Sequence, residues 1–174
     1  MDRFAQFGVS ASKQAIADAN FVIDDLNADQ VGVLIGTGVG GLKVMEDQNE
    51  NLLTKGPRKV SPFTIPMMIA NMAAGLTAIH TGAKGPNSCT VTACAAGSHA
   101  IGDAFRLVQR GYAKAMICGG AEAAVTPLSF AGFCSAKALS ARADAPTDGC
   151  RAVDRGRGGV GWGGGSGWRG LGGG

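Results

Sequence analysis

From Phe4 to Asn20 the apolar residues recur at helical spacing (Phe4, Phe7, Val9, Ala11, Ala15, Ile16, Ala19), while Lys13 and Asp18 point elsewhere. An amphipathic helix is predicted there. After the polar connection Asp24 to Gln30, Val31-Gly32-Val33-Leu34-Ile35 is a short continuous apolar run, which reads as a buried strand. Gly36-Thr37-Gly38-Val39-Gly40-Gly41 turns the chain into a helix over Leu42 to Leu53, and Lys55 to Ser61 is basic and polar. Pro66 fits the first turn of a long helix of small residues running to His80. A loop at Gly82 to Asn87 leads to a strand at Cys89 to Ala93. The next helix starts at Cys94 and runs to Gln109 or Arg110, with Gly111 as its C-terminal cap. Ala115-Met116-Ile117-Cys118 reads as another buried strand, closed by Gly119-Gly120, and Leu128 to Leu139 as a loop of small residues with two phenylalanines. Strands alternating with helices predict an α/β domain with a largely parallel sheet. The Ala- and Gly-rich helices after Pro66 and Cys94 suit burial on more than one side.

Composition changes this picture at one end of the chain only. With 174 residues, 45% hydrophobic and 17% charged, the chain has the size and balance of roughly one core-forming domain. A net charge of +3 gives weak support for an acidic partner, and no Lys/Arg run has the density that nucleic acid requires. The longest apolar stretches are broken by Gly, Asn or His, so no membrane span is expected. The cysteines Cys89, Cys94, Cys118, Cys134 and Cys150 are odd in number and lack CxxC or metal-ligand spacing, which reads as reduced thiols and no metal. Glycine is the anomaly: 29 in all, twelve of them between Gly156 and Gly174. Such a run has little side chain to bury and much backbone entropy to lose, so neither a helix nor a packed strand is expected there.

Three features carry candidate chemistry. The run Asn87 to His99 ends a β-branched segment in Cys94 and continues in small residues where a helix begins. A thiol at a helix start meets unpaired backbone N–H groups and the helix dipole, which favour thiolate and can stabilise a neighbouring oxyanion. Taken alone, Cys94 is either such a nucleophile or a buried structural cysteine. Gly36 to Gly41 formally matches G-x-G-x-x-G between strand and helix, the pattern of a dinucleotide-binding module. The acidic residue expected about 20 positions on is missing from Gly56 to Pro62. His99 follows Cys94 by five residues, about 140° around a helix, and faces away from the sulfur. His80 lies near a helix C-terminus, where a cation is at home. Arg58, Lys59 and Lys137 border the same region and read locally as solvated surface or as a contact. Cys89, Cys118 and Cys134 read as small buried hydrophobes.

Together these motifs resemble one family. They are Val31 to Gly41, Ser61-Pro62-Phe63 with Pro66 and Asn71-Met72, Gly85-Pro86-Asn87 leading to Thr92-Ala93-Cys94-Ala95, Cys118 to Glu122, and Ala138-Leu139-Ser140. In this order and spacing the chain resembles the elongating β-ketoacyl-[acyl carrier protein] synthases, in wording most like cyanobacterial or plastid members. The resemblance covers residues 1–155. It implies the thiolase-like layered α/β fold, here a partial N-terminal half, with no cofactor. It implies that Cys94 accepts the acyl group from carrier-protein phosphopantetheine, with its own N–H as half of an oxyanion hole. Malonyl-loaded carrier protein would then be decarboxylated and condensed with the acyl-Cys94 thioester. By motif position Val39 and Phe133 would border the acyl pocket, and Thr64 would reach across a homodimer toward the partner's pocket. Arg58, Lys59 and Lys137 would contact the acidic acyl carrier protein, and Cys89 to Ala93 would pair across the homodimer.

The departures from the family pattern bear on activity. The family decarboxylates with two histidines from downstream motifs, and neither His80 nor His99 occupies them. The resemblance also places Met1 inside a longer protein. This polypeptide alone is therefore expected not to complete condensation. Cys150 to Gly159 looks like the family's R-P-F-D-x-x-R-D-G-F segment with residues replaced, Gly156, Gly158 and Gly164 standing where acids are usual. Residues 156–174 accordingly read as a disordered or degraded Gly-rich stretch. The expected setting is a bacterial cytoplasm or a plastid stroma. The alternatives are a polyketide ketosynthase or another thiolase-fold acyltransferase and, in a different class, the dinucleotide-binding module at Gly36 to Gly41. A chain-length factor would lack the nucleophile that Cys94 supplies.

Overall fold

The computed structural model describes residues 1–140 and the strand 165–172. The strands β1 (Val31–Gly36), β2 (Asn87–Ser88), β3 (Ala115–Glu122) and β4 (Gly165–Gly172) form one sheet in the order β2-β1-β3-β4. The first three run parallel, and β4 is antiparallel to β3. The helices among the described residues are α1 (Arg3–Asp18), α2 (Leu42–Lys55), α3 (Thr64–Met68), α4 (Met72–Thr81), α5 (Ala96–Gln109) and α6 (Pro127–Ser135).

The two-residue period of the strands splits the core into two faces. Val31, Val33 and Ile35 of β1, with Ile117 and Ala121 of β3, pack against Phe4 and Ala5 of α1 and Ala73 and Ala74 of α4. Leu34, Met116 and Cys118 point the other way, onto Ala100 and Ala104 of α5. Burial on both faces is why β1 reads as an unbroken apolar run rather than an alternating one. The small residues of α4 and α5 let both helices lie close to the sheet.

Four expectations are corrected. The helix expected from Pro66 to His80 is broken after Met68, where Ile69 is extended (ψ 140°), and α4 starts at Met72. The break frees the Met68 carbonyl to accept from the Gly41 N–H at 2.9 Å, a bond that a continuous helix would use internally. The strand expected over Cys89 to Ala93 stops short: β2 pairs with β1 only at Val33↔Asn87 and Leu34↔Ser88. Beyond it the chain turns onto α5 through a left-handed Ala93 (φ +49°). The loop expected over Leu128 to Leu139 contains α6, whose N-cap Thr126 accepts from Ser129 N and is followed by Pro127 at the first helical position. Finally, Gly165–Gly172 is a strand, paired with β3 from Ala115↔Gly172 to Glu122↔Gly165. A ladder is made of backbone N–H and C=O groups, so a glycine-rich segment satisfies an exposed sheet edge without side chains to pack. The segment Cys150 to Gly159 lies outside the described residues.

Candidate active site

The carboxyl ends of β1 and β3 meet the N-terminus of α5, the edge at which open α/β sheets place their ligands. Glycines make this approach close. A Cβ on Gly36 would stand 2.3 Å from the Ala96 carbonyl oxygen, and one on Gly120 would stand 2.9 Å from Gly97 Cα. Gly36 and Gly120 are register partners, so the start of α5 sits on both strand ends at once. The segment leading into it is stitched down by Thr90. Its carbonyl accepts from Thr37 N at 3.1 Å, and its hydroxyl donates to the Ala96 carbonyl at 2.8 Å.

Cys94 occupies the middle of a 3₁₀ turn, Ala93–Ala95, immediately before α5. The expectation that α5 begins at Cys94 is thus off by two residues, with the thiol still ahead of the first helical turn. The left-handed Ala93 costs on the order of 1–3 kcal/mol and persists only where its surroundings over-determine it. The Cys94 residue is exposed. His99 is held by Thr92, with Nδ1 2.7 Å from the Thr92 hydroxyl oxygen, and His80 is exposed in the last turn of α4.

The other cysteines differ in setting. Cys89 is half-buried with its thiol donating to the Ala70 carbonyl at 3.4 Å. Burial pushes its pKa up, partly offset by a backbone hydrogen bond from Thr37. Cys118 is buried in β3, where desolvation pushes its thiol up to about 11. Cys134 on α6 is exposed, which corrects its reading as a buried hydrophobe: α6 buries none of its residues.

The glycine loop after β1 accounts for every one of its backbone N–H groups. Gly38 N and Val39 N donate to Glu122 Oε2 at 2.6 and 3.1 Å, and the Thr37 hydroxyl donates to the same oxygen at 3.2 Å. Gly40 N donates to the Thr37 hydroxyl at 3.2 Å, and Gly41 N to the Met68 carbonyl. A nucleotide phosphate would need these donors. They are already filled by a carboxylate, a hydroxyl and a carbonyl, and the next strand after α2 is β2, which comes only after α3 and α4 and whose residues Asn87 and Ser88 include no acid. The dinucleotide alternative therefore fails on geometry.

Gly38 also lies against the turn that carries Cys94, since a Cβ there would stand 3.7 Å from Ala93 Cα. Of the three pocket candidates, Val39 is thus the one whose loop the described contacts bring to Cys94. Val39 is about half exposed. Thr64 opens α3 with its hydroxyl donating to the Ser61 carbonyl at 2.6 Å, and Phe133 lies exposed on α6. Arg58 and Lys59 sit exposed on a 3₁₀ turn, Pro57–Lys59, at the end of α2, and Lys137 follows α6 with φ +53°. Glu122, the last residue of β3, stands in the sequence only as the end of the motif Cys118 to Glu122; a lone acid closing an apolar strand is its local signal.

The sequence matches the description "Beta-ketoacyl synthase, N-terminal domain" over residues 1–169. The chain belongs to the β-ketoacyl synthase family. Among its relatives is a 3-oxoacyl-[acyl-carrier-protein] synthase 2 of Synechocystis, 71% identical over 167 residues, which are 96% of this chain and 40% of the relative. The synthase of the same description from Staphylococcus aureus is 50% identical over 157 residues, 90% of this chain and 38% of that protein. A β-ketoacyl synthase structure from Burkholderia phymatum aligns with TM-score 0.80 and 31% identity, over 91% of this chain and 39% of its own. A type II polyketide ketosynthase, solved with its acyl-carrier protein and bound to the hexaketide, aligns with TM-score 0.77 and 30% identity, over 85% and 38%. The layered α/β arrangement is thus part of the N-terminal half of a thiolase-like β-ketoacyl synthase fold. The chain spans about two fifths of the length of the curated relatives it matches.

Proposed function

We propose that this β-ketoacyl synthase chain carries the acyl-accepting half of a fatty-acid-elongating condensing reaction, with Cys94 as the nucleophile. The observation that carries the reading is the exposed Cys94 on a strained turn ahead of α5, at the carboxyl edge of the parallel strands. The Cys94 thiolate adds to the carbonyl of an acyl thioester borne by acyl carrier protein. The N–H groups at the α5 start face the oxyanion that forms. The carrier's thiolate leaves and takes up the proton that Cys94 lost, so the acyl group moves with no net change in charge. In the second half-reaction malonyl-loaded carrier protein loses CO₂, and the resulting carbanion attacks the acyl-Cys94 carbonyl. A carbon–carbon bond forms and the Cys94 thiolate is released.

Val39, Thr64 and Phe133 border the acyl chain in this reading. Arg58, Lys59 and Lys137 meet the acidic carrier protein, and residues 89–93 pair across a homodimer. The 71% identity to a 3-oxoacyl-[acyl-carrier-protein] synthase 2, against 30% to the polyketide ketosynthase, favours fatty-acid elongation over polyketide chemistry. His80 and His99 match neither histidine motif that the family uses for decarboxylation, so these 174 residues alone are not expected to complete condensation. Among the described residues no helix is long and apolar enough to cross a membrane, and bacterial cytoplasm or plastid stroma is the proposed setting. The test is site-resolved alkylation. Iodoacetamide is expected to modify Cys94 faster than Cys89 and Cys134, and acyl-loaded carrier protein to leave acyl mass on Cys94 but none on a Cys94→Ala chain. Labelling of Cys94 no faster than Cys134 overturns the reading.

A further inference from the structure

The carboxylate of Glu122 lies where an anion-binding loop would hold a ligand. It collects the Gly38 and Val39 N–H groups and the Thr37 hydroxyl on Oε2, while Ala123 N donates to Oε1 at 3.3 Å. Charge-assisted bonds of this kind are about twice as strong as neutral ones. They tie the end of β3 to the loop that follows β1. The loop in turn is pressed between two neighbours. On one side Glu122 Oε2 stands 2.8 Å from where a Gly38 Cβ would be; Ala93 Cα stands 3.7 Å from that same point. Ala93 is the left-handed residue that presents Cys94, and a non-glycine residue keeps that conformation only under constraint from around it.

We infer that Glu122 is a positioning residue for the nucleophile: through Gly38 and Ala93 its carboxylate fixes the turn that presents Cys94. This rests on the proposal that Cys94 is the acyl acceptor. Glu122 touches neither substrate nor sulfur in this role. It acts as a built-in anion that keeps the glycine loop closed against the Cys94 turn.

The experiment compares Cys94 and Cys134 alkylation by iodoacetamide, read by peptide mass spectrometry, in the 174-residue chain. Cys134 on α6 is the internal reference. In Glu122→Ala the Cys94:Cys134 rate ratio is expected to fall roughly tenfold, the scale of a small misplacement of a reactive group. Formate is small enough to enter the emptied loop and is expected to restore most of the ratio. Glu122→Gln, which keeps an acceptor oxygen but loses the charge, is expected to give an intermediate ratio. A ratio unchanged in both variants, or a fall that formate leaves untouched in a natively folded Glu122→Ala, overturns the inference. Where circular dichroism shows Glu122→Ala unfolded, Glu122→Gln decides: a lowered ratio upholds the inference and an unchanged one overturns it. A wild-type ratio of one or less strikes the proposed function instead, so the two failures are distinct.

Discussion

Cys94 and Cys118 carry the same side chain in opposite settings, and the chemistry of each follows from its setting. Cys94 stands exposed at a turn, while Cys118 is fully buried between Leu34 and the alanines of α5. Desolvation disfavours the thiolate and lifts the Cys118 pKa from 9.0 to about 11. The folded-state pKa lies above the unfolded one, so the stabilisation is whole below pH 9 and is lost as pH rises through 11. In that window the unfolded thiol gives up its proton before the folded one. The loss amounts to roughly 2–3 kcal/mol at most. Urea unfolding between about pH 8 and about pH 11 is expected to show a steeper decline for the wild type than for Cys118→Ala. Parallel declines would refute the assignment, because Cys89 and the other titrating groups are common to both chains.

At the scale of elements, α6 shows what periodicity conveys and what it misses. Small residues and phenylalanines follow one another there without a clear apolar stripe, so the segment reads as loop. The start signal was present in Thr126-Pro127, an N-cap followed by a proline at the first helical position. What fixes α6 is a long-range tie that no local pattern encodes: the Thr126 hydroxyl donates to Glu46 Oε1 on α2, and Leu128 N donates to the same oxygen at 3.2 Å. Thr126→Val removes both the cap and that donor and is expected to cost about 1–2 kcal/mol. Thr126→Ser keeps the hydroxyl and is expected to melt close to wild type; equal melting of the Val and Ser variants would show the tie to be idle. Longer elements were legible for the opposite reason. The strands β1 and β3 and the helices α1, α2 and α5 bury faces whose period is written locally, and their bounds fall within a few residues of that pattern. The break after Met68 and the early end of β2 depend on the loop 37–41 and on the Ala93 turn. The same holds for the site: Cys94 was visible from a local motif, whereas Glu122 gains its role from Gly38, 84 positions away.

At the scale of the whole molecule, the outer side of β2 is a sheet edge. This strand stands at the edge of the sheet and pairs with β1 at only two positions, after which the chain continues through Thr90 to Thr92. A strand edge with unmatched backbone groups is a template for another chain. Large apolar side chains stand exposed as well, among them Phe63 at 65%, Ile65 at 58% and Val91 at 55%. The opposite edge of the parallel set is covered, since β4 pairs along the length of β3. These features favour association through residues 89–93, the segment proposed to pair across the homodimer. Sedimentation equilibrium of the chain is expected to show a concentration-dependent dimer. Val91→Asp places a charge in the paired segment and is expected to weaken it tenfold or more, about 1.4 kcal/mol. A monomer at every concentration, or an unchanged equilibrium in the variant, would remove this interface. Residues 89–93 run into the Ala93–Ala95 turn, so the proposed association is expected to couple to Cys94 reactivity. The Cys94 alkylation rate is then expected to change across the concentration range in which the dimer forms, and to stay flat over the same range in Val91→Asp.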